Sequence, residues 1–267
     1  MTSSLAERVE RERASHDDDD VLTNNLTLKA RFFSHMDHDP AQHALWDEQG
    51  ALVRGLAGKT ILDLGCGKGE AALDYLKEGA SVEGIDICTN YVNDAATAVR
   101  EAGYAEDRFN FQVMDAHKLE FDDDQFDLVV GNAILHHLEP EACLKELGRV
   151  LKPGGTAIFL EPLLENPLLM LFRVFTPKAR TIDERPFSRR DLREFSKMAE
   201  FDFEVSYGGL LTSATCVFTS VFLPNHPKTF LPRWAYAVEK QLNRNSVTRA
   251  LFGPWNRLAL FRFTKRS

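Results

Sequence analysis

Residues 61–70 read ILDLGCGKGE, an apolar run that enters three glycines and continues into an amphipathic segment. Gly65, Gly67 and Gly69 allow a tight strand-to-helix turn and let backbone N–H groups approach a ligand closely. The spacing is GxGxG, and Glu70 occupies the last glycine position of the dinucleotide fingerprint GxGxxG. Because a carboxylate at a helix start repels a pyrophosphate, the loop favours a ligand without phosphates. A turn that binds no ligand is the simpler alternative.

Apolar runs and helical segments alternate along the chain that surrounds this loop. Strands separated by helices of up to about a dozen residues form βαβ units, and therefore a parallel sheet with helices on both faces. The predicted strands are Thr60–Leu64, Ser81–Asp86, Phe109–Met114, Phe126–Gly131 and Thr156–Glu161, and the predicted helices are Glu70–Glu78, Asn90–Ala102 and Pro140–Val150.

The two ends of the chain differ in composition from this central part. Residues 1–28, with the run Asp17–Asp20, predict a flexible acidic segment, and residues 29–267 predict a single domain. Residues 163–186 and 208–257 break the alternation, so we expect late insertions that form an α-helical cap over the sheet. Between the two insertions we predict a helix over 188–199 and a strand over 201–207. A further strand-like run over 258–263 follows the second insertion.

Composition limits the compartment and the partners. Four cysteines lie far apart without a CxxC pair, which argues against a metal site or a disulfide framework and favours a reducing compartment. Residues 1–20 have no apolar signal region and Leu210–Leu223 is too short for a bilayer span, so we predict a cytoplasmic protein without a transmembrane segment. Residues 166–267 carry 17 basic and 8 acidic side chains, and this basic third could face an anionic partner.

Acidic residues stand at the ends of successive predicted strands. Asp86 ends the second strand in VEGID, where a carboxylate about twenty residues after the glycine loop can accept both hydroxyls of a ribose. Asp115 follows the third strand, where it could accept the amino group of an adenine. Because the carboxyl ends of parallel strands meet at one edge, we predict an adenosine-nucleotide site there, although either aspartate alone could cap a helix.

The segments ILDLGCGKGE, VEGID, MDA, FDLVVGNAILHHL and RVLKPGGTAIFLEP resemble, in order and spacing, the motifs of class I methyltransferases that depend on S-adenosylmethionine (SAM). The resemblance covers residues 59–162. It implies a Rossmann-like α/β fold with a mostly parallel seven-stranded sheet of order 3-2-1-4-5-7-6, in which residues 258–263 form the antiparallel seventh strand. It also implies methyl transfer from SAM to a small molecule. A weaker similarity relates residues 161–187 to bacterial small-molecule members, with Leu164-Glu165 in place of Gly-His.

The resemblance assigns cofactor contacts by position. Asp63 and the glycines would wrap the methionine moiety, Asp86 would bind the ribose, Asp115 the adenine, and Asn132 would lie along the methionine portion. The full set of predicted cofactor-binding residues is Asp63, Gly65, Cys66, Gly67, Gly69, Asp86, Ile87, Asp115, Ala116 and Asn132.

Methyl transfer from a sulfonium depends mainly on alignment of the nucleophile and exclusion of water, because the leaving group is already activated. A general base adds about 10²–10⁴-fold where the nucleophile must lose a proton. His136 and His137, after the fourth strand, and Glu161, at the end of the fifth, are the predicted catalytic residues. Helix capping or packing of the HHL step is the alternative.

The late insertions supply candidate contacts to the acceptor. If aromatic residues there line a pocket instead of a core, the acceptor is a hydrophobic small molecule that bears an anionic group. The predicted substrate residues are Phe33, Asn166, Arg173 and Arg180, and the candidate pocket aromatics are Phe172, Phe175, Phe187, Phe218, Phe222, Phe230 and Trp234.

Three other functions stay open at this stage. A SAM-binding regulator or non-methylating catalyst would have the same cofactor motifs. An NAD-dependent oxidoreductase is disfavoured by Glu70. A nucleic-acid methyltransferase is disfavoured because Gly131-Asn132-Ala133-Ile134 replaces the Asn/Asp-Pro-Pro-Tyr/Phe step of amino-methylating enzymes. The sequence leaves the oligomeric state open.

Overall fold

A computed structural model describes residues 7, 9–10, 34–167, 170 and 185–267 of the chain. Within them, seven strands form one sheet of order β3-β2-β1-β4-β5-β7-β6. Neighbouring strands from β3 to β5 pair in parallel, and β7 runs antiparallel to both β5 and β6. This order confirms the predicted Rossmann-like fold. The strands are β1 Thr60–Leu64, β2 Ser81–Asp86, β3 Phe109–Val113, β4 Phe126–Asn132, β5 Leu151–Pro162, β6 Phe201–Gly208 and β7 Leu258–Lys265.

Helices connect these strands and cover the sheet. The helix before β6 starts with a capping box in which the side chains and backbones of Ser188 and Asp191 bond reciprocally. It ends at Phe195 and is therefore shorter than the predicted segment 188–199. The helices are α1 Pro40–Leu52, α2 Glu70–Lys77, α3 Thr89–Glu101, α4 Pro140–Val150, α5 Arg189–Phe195, α6 Leu211–Phe222, α7 Phe230–Arg244 and α8 Ser246–Phe252.

The core has two parts, because successive residues of a strand point to opposite faces of the sheet. On β1, Leu62 and Leu64 pack in one hydrophobic cluster with the residues of α4 and β7, whereas Ile61 packs in the other. Both faces of the central strands are therefore buried, as expected for a parallel sheet. Phe261 and Phe263 of β7 make edge-to-face contacts that extend the first cluster to Phe195 of α5.

Two predicted boundaries differ from the structure by more than two residues: the end of α5, given above, and the start of β5. Strand β5 begins at Leu151 and not at Thr156, because Leu151 already pairs with Phe126 before the register shifts along β4. The segment Lys152–Gly155, whose Pro-Gly-Gly sequence is typical of a turn, is thus an irregularity within the strand. Residues 208–257, the second of the two predicted insertions, contain α6, α7 and α8. Most of residues 1–33 and 168–184 lie outside the described residues.

The described residues contain neither a candidate membrane-spanning helix nor a candidate metal site. No helix there is both long and apolar enough to cross a bilayer. Likewise, no group of three or more His, Cys, Asp and Glu side chains in this part of the chain could hold a metal ion.

Candidate functional site

The glycine loop between β1 and α2 forms one wall of the site. Gly65, Gly67 and Gly69 have φ values of +74°, +49° and +82°, a backbone conformation that L side chains rarely adopt. A Cβ at Gly65 would lie 2.8 Å from the Ile134 side chain, whereas a Cβ at Gly67 would meet nothing within 4 Å. The loop is therefore packed closely at Gly65 and open at Gly67.

A cavity of about 220 Å³ lies beside this loop, at the carboxyl ends of β2, β3 and β4. None of the lining residues in the described part of the chain is Lys or Arg, and Asp86 and Asp115 contribute two carboxylates. Its electrostatic potential therefore favours a cation. Seven of the predicted cofactor residues line it: Gly65, Gly67, Asp86, Ile87, Asp115, Ala116 and Asn132.

The other three predicted cofactor residues lie behind the loop. Asp63 and Cys66 are 3% and 6% exposed, and neither lines the cavity. Gly69 precedes α2, where a Cβ would lie 3.0 Å from the backbone of Ala95. It thus allows α2 and α3 to pack closely.

Asp63 contributes buried negative charge beneath the loop. Its Oδ2 has no hydrogen-bond partner within the described residues. Burial, and secondarily the charge of Asp86, raise the pKa of this carboxyl to about 7. A positively charged ligand in the glycine loop would favour the ionised form of Asp63, because opposite charges stabilise each other more strongly in a poorly solvated site.

Asp86 joins the glycine loop to the start of α3. Its Oδ2 accepts the N–H of Gly67 at 3.1 Å, and its Oδ1 accepts the N–H of Cys88 at 2.9 Å. Each carboxylate oxygen has two acceptor sites, so both oxygens can accept a further hydrogen bond from a ligand hydroxyl.

His117 orients Asp115, and the sequence analysis missed this residue. The backbone N–H of Glu139 donates to His117 Nε2 at 2.8 Å, so the imidazole proton lies on Nδ1. That nitrogen is 2.6 Å from Asp115 Oδ1 and donates to it. The sequence contains no signal for this pair beyond the proximity of the two residues, because the Glu139 contact forms only in the fold. Further cavity residues that the sequence analysis did not name are Val9, Ile85, Tyr91, Met114, Ala133, Ile134 and Leu138.

Asn132, at the end of β4, is held by a residue from α1. The Gln49 amide donates to Asn132 Oδ1 at 2.8 Å, and Gln49 itself is only 8% exposed. This bond fixes the orientation of the Asn132 amide at the cavity wall.

Glu161 and His136 form a buried pair beside the cavity. Glu161 is fully buried, and its Oε2 lies 2.6 Å from His136 Nδ1. Its Oε1 accepts the N–H groups of Ile134 and Leu135 at 3.1 and 2.8 Å. Glu161 thus fixes the loop after β4 and does not line the cavity. Of the three predicted catalytic residues, only His137 lines it, and the ring centroids of His136 and His137 are 4.2 Å apart.

The predicted substrate residues are only partly described. Phe33, Arg173 and Arg180 lie outside the described residues. Asn166 is 1% exposed, and its amide donates to the carbonyls of Gly209 and Trp255 at 3.3 and 2.9 Å. It therefore ties the end of β5 to the second insertion, and its contact with an acceptor stays a prediction.

The candidate pocket aromatics do not form one pocket. Phe187 is 1% exposed and belongs to the core. Phe218, Phe222, Phe230 and Trp234 are between 49% and 79% exposed and do not line the cavity described above. Phe172 and Phe175 lie outside the described residues.

Comparison with known proteins relates the part of the chain that forms this site to methyltransferases. Residues 62–159 match a family model described as a methyltransferase domain, Methyltransf_11. The chain is 39% identical over 101 residues to methyltransferase GfsG of Streptomyces halstedii, which covers 37% of this chain and 36% of that protein. It is 34% identical over 147 residues to a ubiquinone biosynthesis O-methyltransferase of Pseudomonas paraeruginosa, which covers 55% of this chain and 62% of that protein. The chain thus spans about one to two thirds of the length of these relatives.

A solved structure supports the fold assignment. Phosphoethanolamine N-methyltransferase 2 of Haemonchus contortus, in complex with S-adenosyl-L-methionine, superposes with a TM-score of 0.59 at 21% identity, over 83% of this chain and 53% of that one. At this identity the similarity shows the fold alone. The family model and the strand order together confirm the resemblance seen in the sequence: residues 62–159 match a methyltransferase domain and lie within a sheet of the class I strand order.

Proposed function

We propose that the chain is an enzyme that transfers a methyl group from SAM to a small-molecule acceptor. The observation that carries the proposal is the charge of the cavity: aspartates at the ends of successive strands line it, and its described lining residues include no Lys or Arg. SAM is a cation at its sulfonium and has no phosphate, whereas NAD brings a pyrophosphate that such a cavity would repel. When bound, SAM supplies an activated methyl group that an acceptor nucleophile displaces.

The residues of the site fit this cofactor. Asp86 has acceptor capacity left for the ribose hydroxyls, and Asp115, oriented by His117, faces the cavity where the adenine would lie. Asn132, fixed by Gln49, would contact the methionine portion. The open backbone at Gly67 would allow close approach of the ligand, and Asp63 beneath the loop would stabilise its positive charge.

His137 and the Glu161–His136 pair are the candidates for proton removal from the acceptor. Because the carboxylate of Glu161 is 2.6 Å from His136 Nδ1, the proton of a neutral His136 lies on Nδ1 and its Nε2 carries the lone pair. His137 lines the cavity itself, so we propose His137 as the contact to the acceptor and His136 as the second candidate. A base is useful when the acceptor is a hydroxyl, and the similarity to an O-methyltransferase supports this class.

The proposal also covers the type of acceptor, the domain organisation and the cellular location. We expect a hydrophobic acceptor with an anionic group, and Phe33, Asn166, Arg173 and Arg180 as its contacts. Residues 29–267 would act as one domain, with a small molecule and not a nucleic acid as the substrate. The four cysteines are buried and lie far apart in the sequence without a CxxC pair, which supports a reducing, cytoplasmic location.

Production of S-adenosylhomocysteine from SAM tests the activity. The purified chain would be incubated with SAM and a panel of hydrophobic hydroxy acids and their neutral esters, with Asp86→Ala as the cofactor-site control. Product formation that depends on the acceptor, and that the control lacks, supports methyl transfer. SAM binding without turnover on any acceptor would instead favour a non-methylating SAM protein.

Single alanine variants of the two histidines separate their roles. We expect His137→Ala to lower kcat by about 10²–10⁴-fold, with unchanged SAM affinity, if this imidazole removes the proton. Steady-state kinetics on the best acceptor of the panel, with SAM affinity measured separately, would provide both values. Unchanged turnover in both His137→Ala and His136→Ala would end the base assignment.

A further inference from the structure

Helices α6, α7 and α8 expose large apolar side chains to an unusual degree. We call this the cap apolar surface, and its two most exposed aromatic residues are Phe230 at 79% and Phe222 at 66%. Soluble proteins rarely expose a contiguous apolar patch of several large side chains without a partner. The surface consists of Phe218, Val221, Phe222, Phe230, Trp234, Val238, Val247 and Leu251.

Helix α6 is inverted relative to a helix on the surface of a water-soluble protein. Its buried face consists of Thr212, Ser213, Cys216 and Thr219, which are small or polar. Its exposed face contains the large apolar residues, and the rings of Phe218 and Phe222 stack with centroids 4.6 Å apart. A surface helix normally has the opposite arrangement, so this helix is suited to an apolar environment on its outer side.

Helix α7 adds a basic stripe beside its exposed apolar stripe. Phe230, Trp234 and Val238 are four residues apart and lie on one face. At 3.6 residues per turn, Arg233, Lys240 and Arg244 follow a neighbouring line along the same helix, and all three are exposed. An apolar face bordered by Lys and Arg, with Trp and Phe on it, is typical of helices that lie in the plane of a membrane surface.

The charge of this region is of one sign. Residues 211–257 contain six basic residues and a single acidic one, Glu239. Glu239 is fully buried, where it accepts the backbone N–H groups of Gly209, Leu211 and Thr212. The acidic side chain therefore does not offset the exposed positive charges.

We propose that the cap apolar surface docks on the surface of an anionic lipid bilayer. Lipid headgroups match the exposed basic residues, and the acyl boundary matches the exposed aromatic residues. A symmetric dimer through the same surface would bring like charges together, which favours the bilayer as the occupant. The docking does not depend on methyl transfer, so its test requires no turnover.

Flotation of the full chain with lipid vesicles tests the proposal. We expect binding to vesicles that mix phosphatidylcholine with phosphatidylglycerol, weak binding to phosphatidylcholine alone, and loss of binding as salt rises. The double variant Phe230→Ser/Trp234→Ser should lose the vesicle-bound fraction. Neutralising Arg233, Lys240 and Arg244 to Gln should weaken binding by about fivefold per residue, following the attraction of about 1 kcal/mol per basic residue near an anionic surface.

A control variant removes basic side chains from helices outside the cap apolar surface. Lys77→Gln/Arg100→Gln removes two exposed basic side chains of α2 and α3 and should leave vesicle binding unchanged. Circular dichroism and SAM binding would verify that each variant is folded. Equal flotation of the wild type and the Phe230/Trp234 variant, or no flotation with either lipid, overturns the proposal. So does a stable dimer in sedimentation that the Phe230/Trp234 variant abolishes while neither protein floats, since the occupant is then a second copy.

Discussion

Asp63 and Asp86 are carboxylates on neighbouring strands of the same site, yet their surroundings give them different tasks. Asp86 accepts two backbone N–H groups and lines the cavity, so it can hold a neutral, hydroxyl-bearing part of a ligand. Asp63 is buried beneath the loop, and its Oδ2 is without a hydrogen bond in the described part of the chain. Its contribution to binding is therefore its charge.

The affinity for SAM should rise with pH until the Asp63 carboxyl is ionised. The pKa of Asp63 is raised on folding from 3.8 to about 7, so its contribution to the stability of the ligand-free fold is complete below pH 3.8 and lost as the pH rises through 7. A bound cation favours the ionised form, which is the minor form below pH 7. We expect the affinity to increase by up to about tenfold per pH unit below 7 and to level off above it.

Calorimetric titration across pH 7 checks this prediction, with Asp63→Asn as the control. The variant should bind SAM more weakly than the wild type at high pH. Its SAM affinity should also no longer rise with pH, even though the histidines of the cavity are unchanged. An equally steep slope in Asp63→Asn would assign the pH dependence to another group.

At this scale the sequence predicted most of the motif residues that line the cavity, but not the residues that hold them in place. Gly67, Asp86 and Asp115 follow strand ends, so their convergence on one edge follows from the topology. Gln49 and His117 could not be predicted, because their partners are distant in sequence: Gln49 of α1 bonds Asn132 at the end of β4, and His117 bonds Glu139 just before α4.

At the scale of elements, Glu161 connects strand β5 with the 3-10 turn at Leu135–His137 after β4. A single buried carboxylate satisfies two backbone N–H groups and an imidazole there. Buried donors that lose such an acceptor are costly, so this residue stabilises the loop that forms the His137 side of the cavity.

Substitutions of Glu161 should therefore affect stability in a graded way. We expect Glu161→Ala to lower the free energy of unfolding by about 3 kcal/mol and Glu161→Gln by about 1 kcal/mol, because glutamine keeps one carbonyl acceptor for the two N–H groups. Urea denaturation followed by circular dichroism measures both. The exposed Glu194, which pairs with Lys197, is the matched control, and Glu194→Ala should cost less than about 0.5 kcal/mol. A Glu161→Ala cost as small as this control would contradict the structural role.

The elements themselves were predicted to within a few residues where their apolar pattern is regular. The predicted start of strand β5 was too late in the sequence, because Lys152–Gly155 is a strong turn signal. The pairing of Leu151 with β4 keeps this segment in the sheet. The inverted face of α6 could not be predicted either, since a helical pattern does not specify which side faces the protein.

At the scale of the whole molecule, the described residues divide into an acidic sheet edge that fits a cation and a basic, apolar helical region that fits an anionic surface. This difference in charge was visible in the sequence, because the two parts of the chain have net charges of opposite sign. The function of this charge pattern was not visible, because the exposure of the aromatic residues depends on how α6 and α7 pack on each other and how α7 packs on α1.

Calorimetric titration of the purified chain with SAM, S-adenosylhomocysteine and NAD tests the central claim most directly. We expect the first two to bind and NAD not to bind, and we expect Asp86→Ala to abolish binding while Asp86→Asn, which keeps the shape of the side chain, retains part of it. Binding of NAD, or SAM binding that survives Asp86→Ala undiminished, would contradict the assignment of this cavity to SAM.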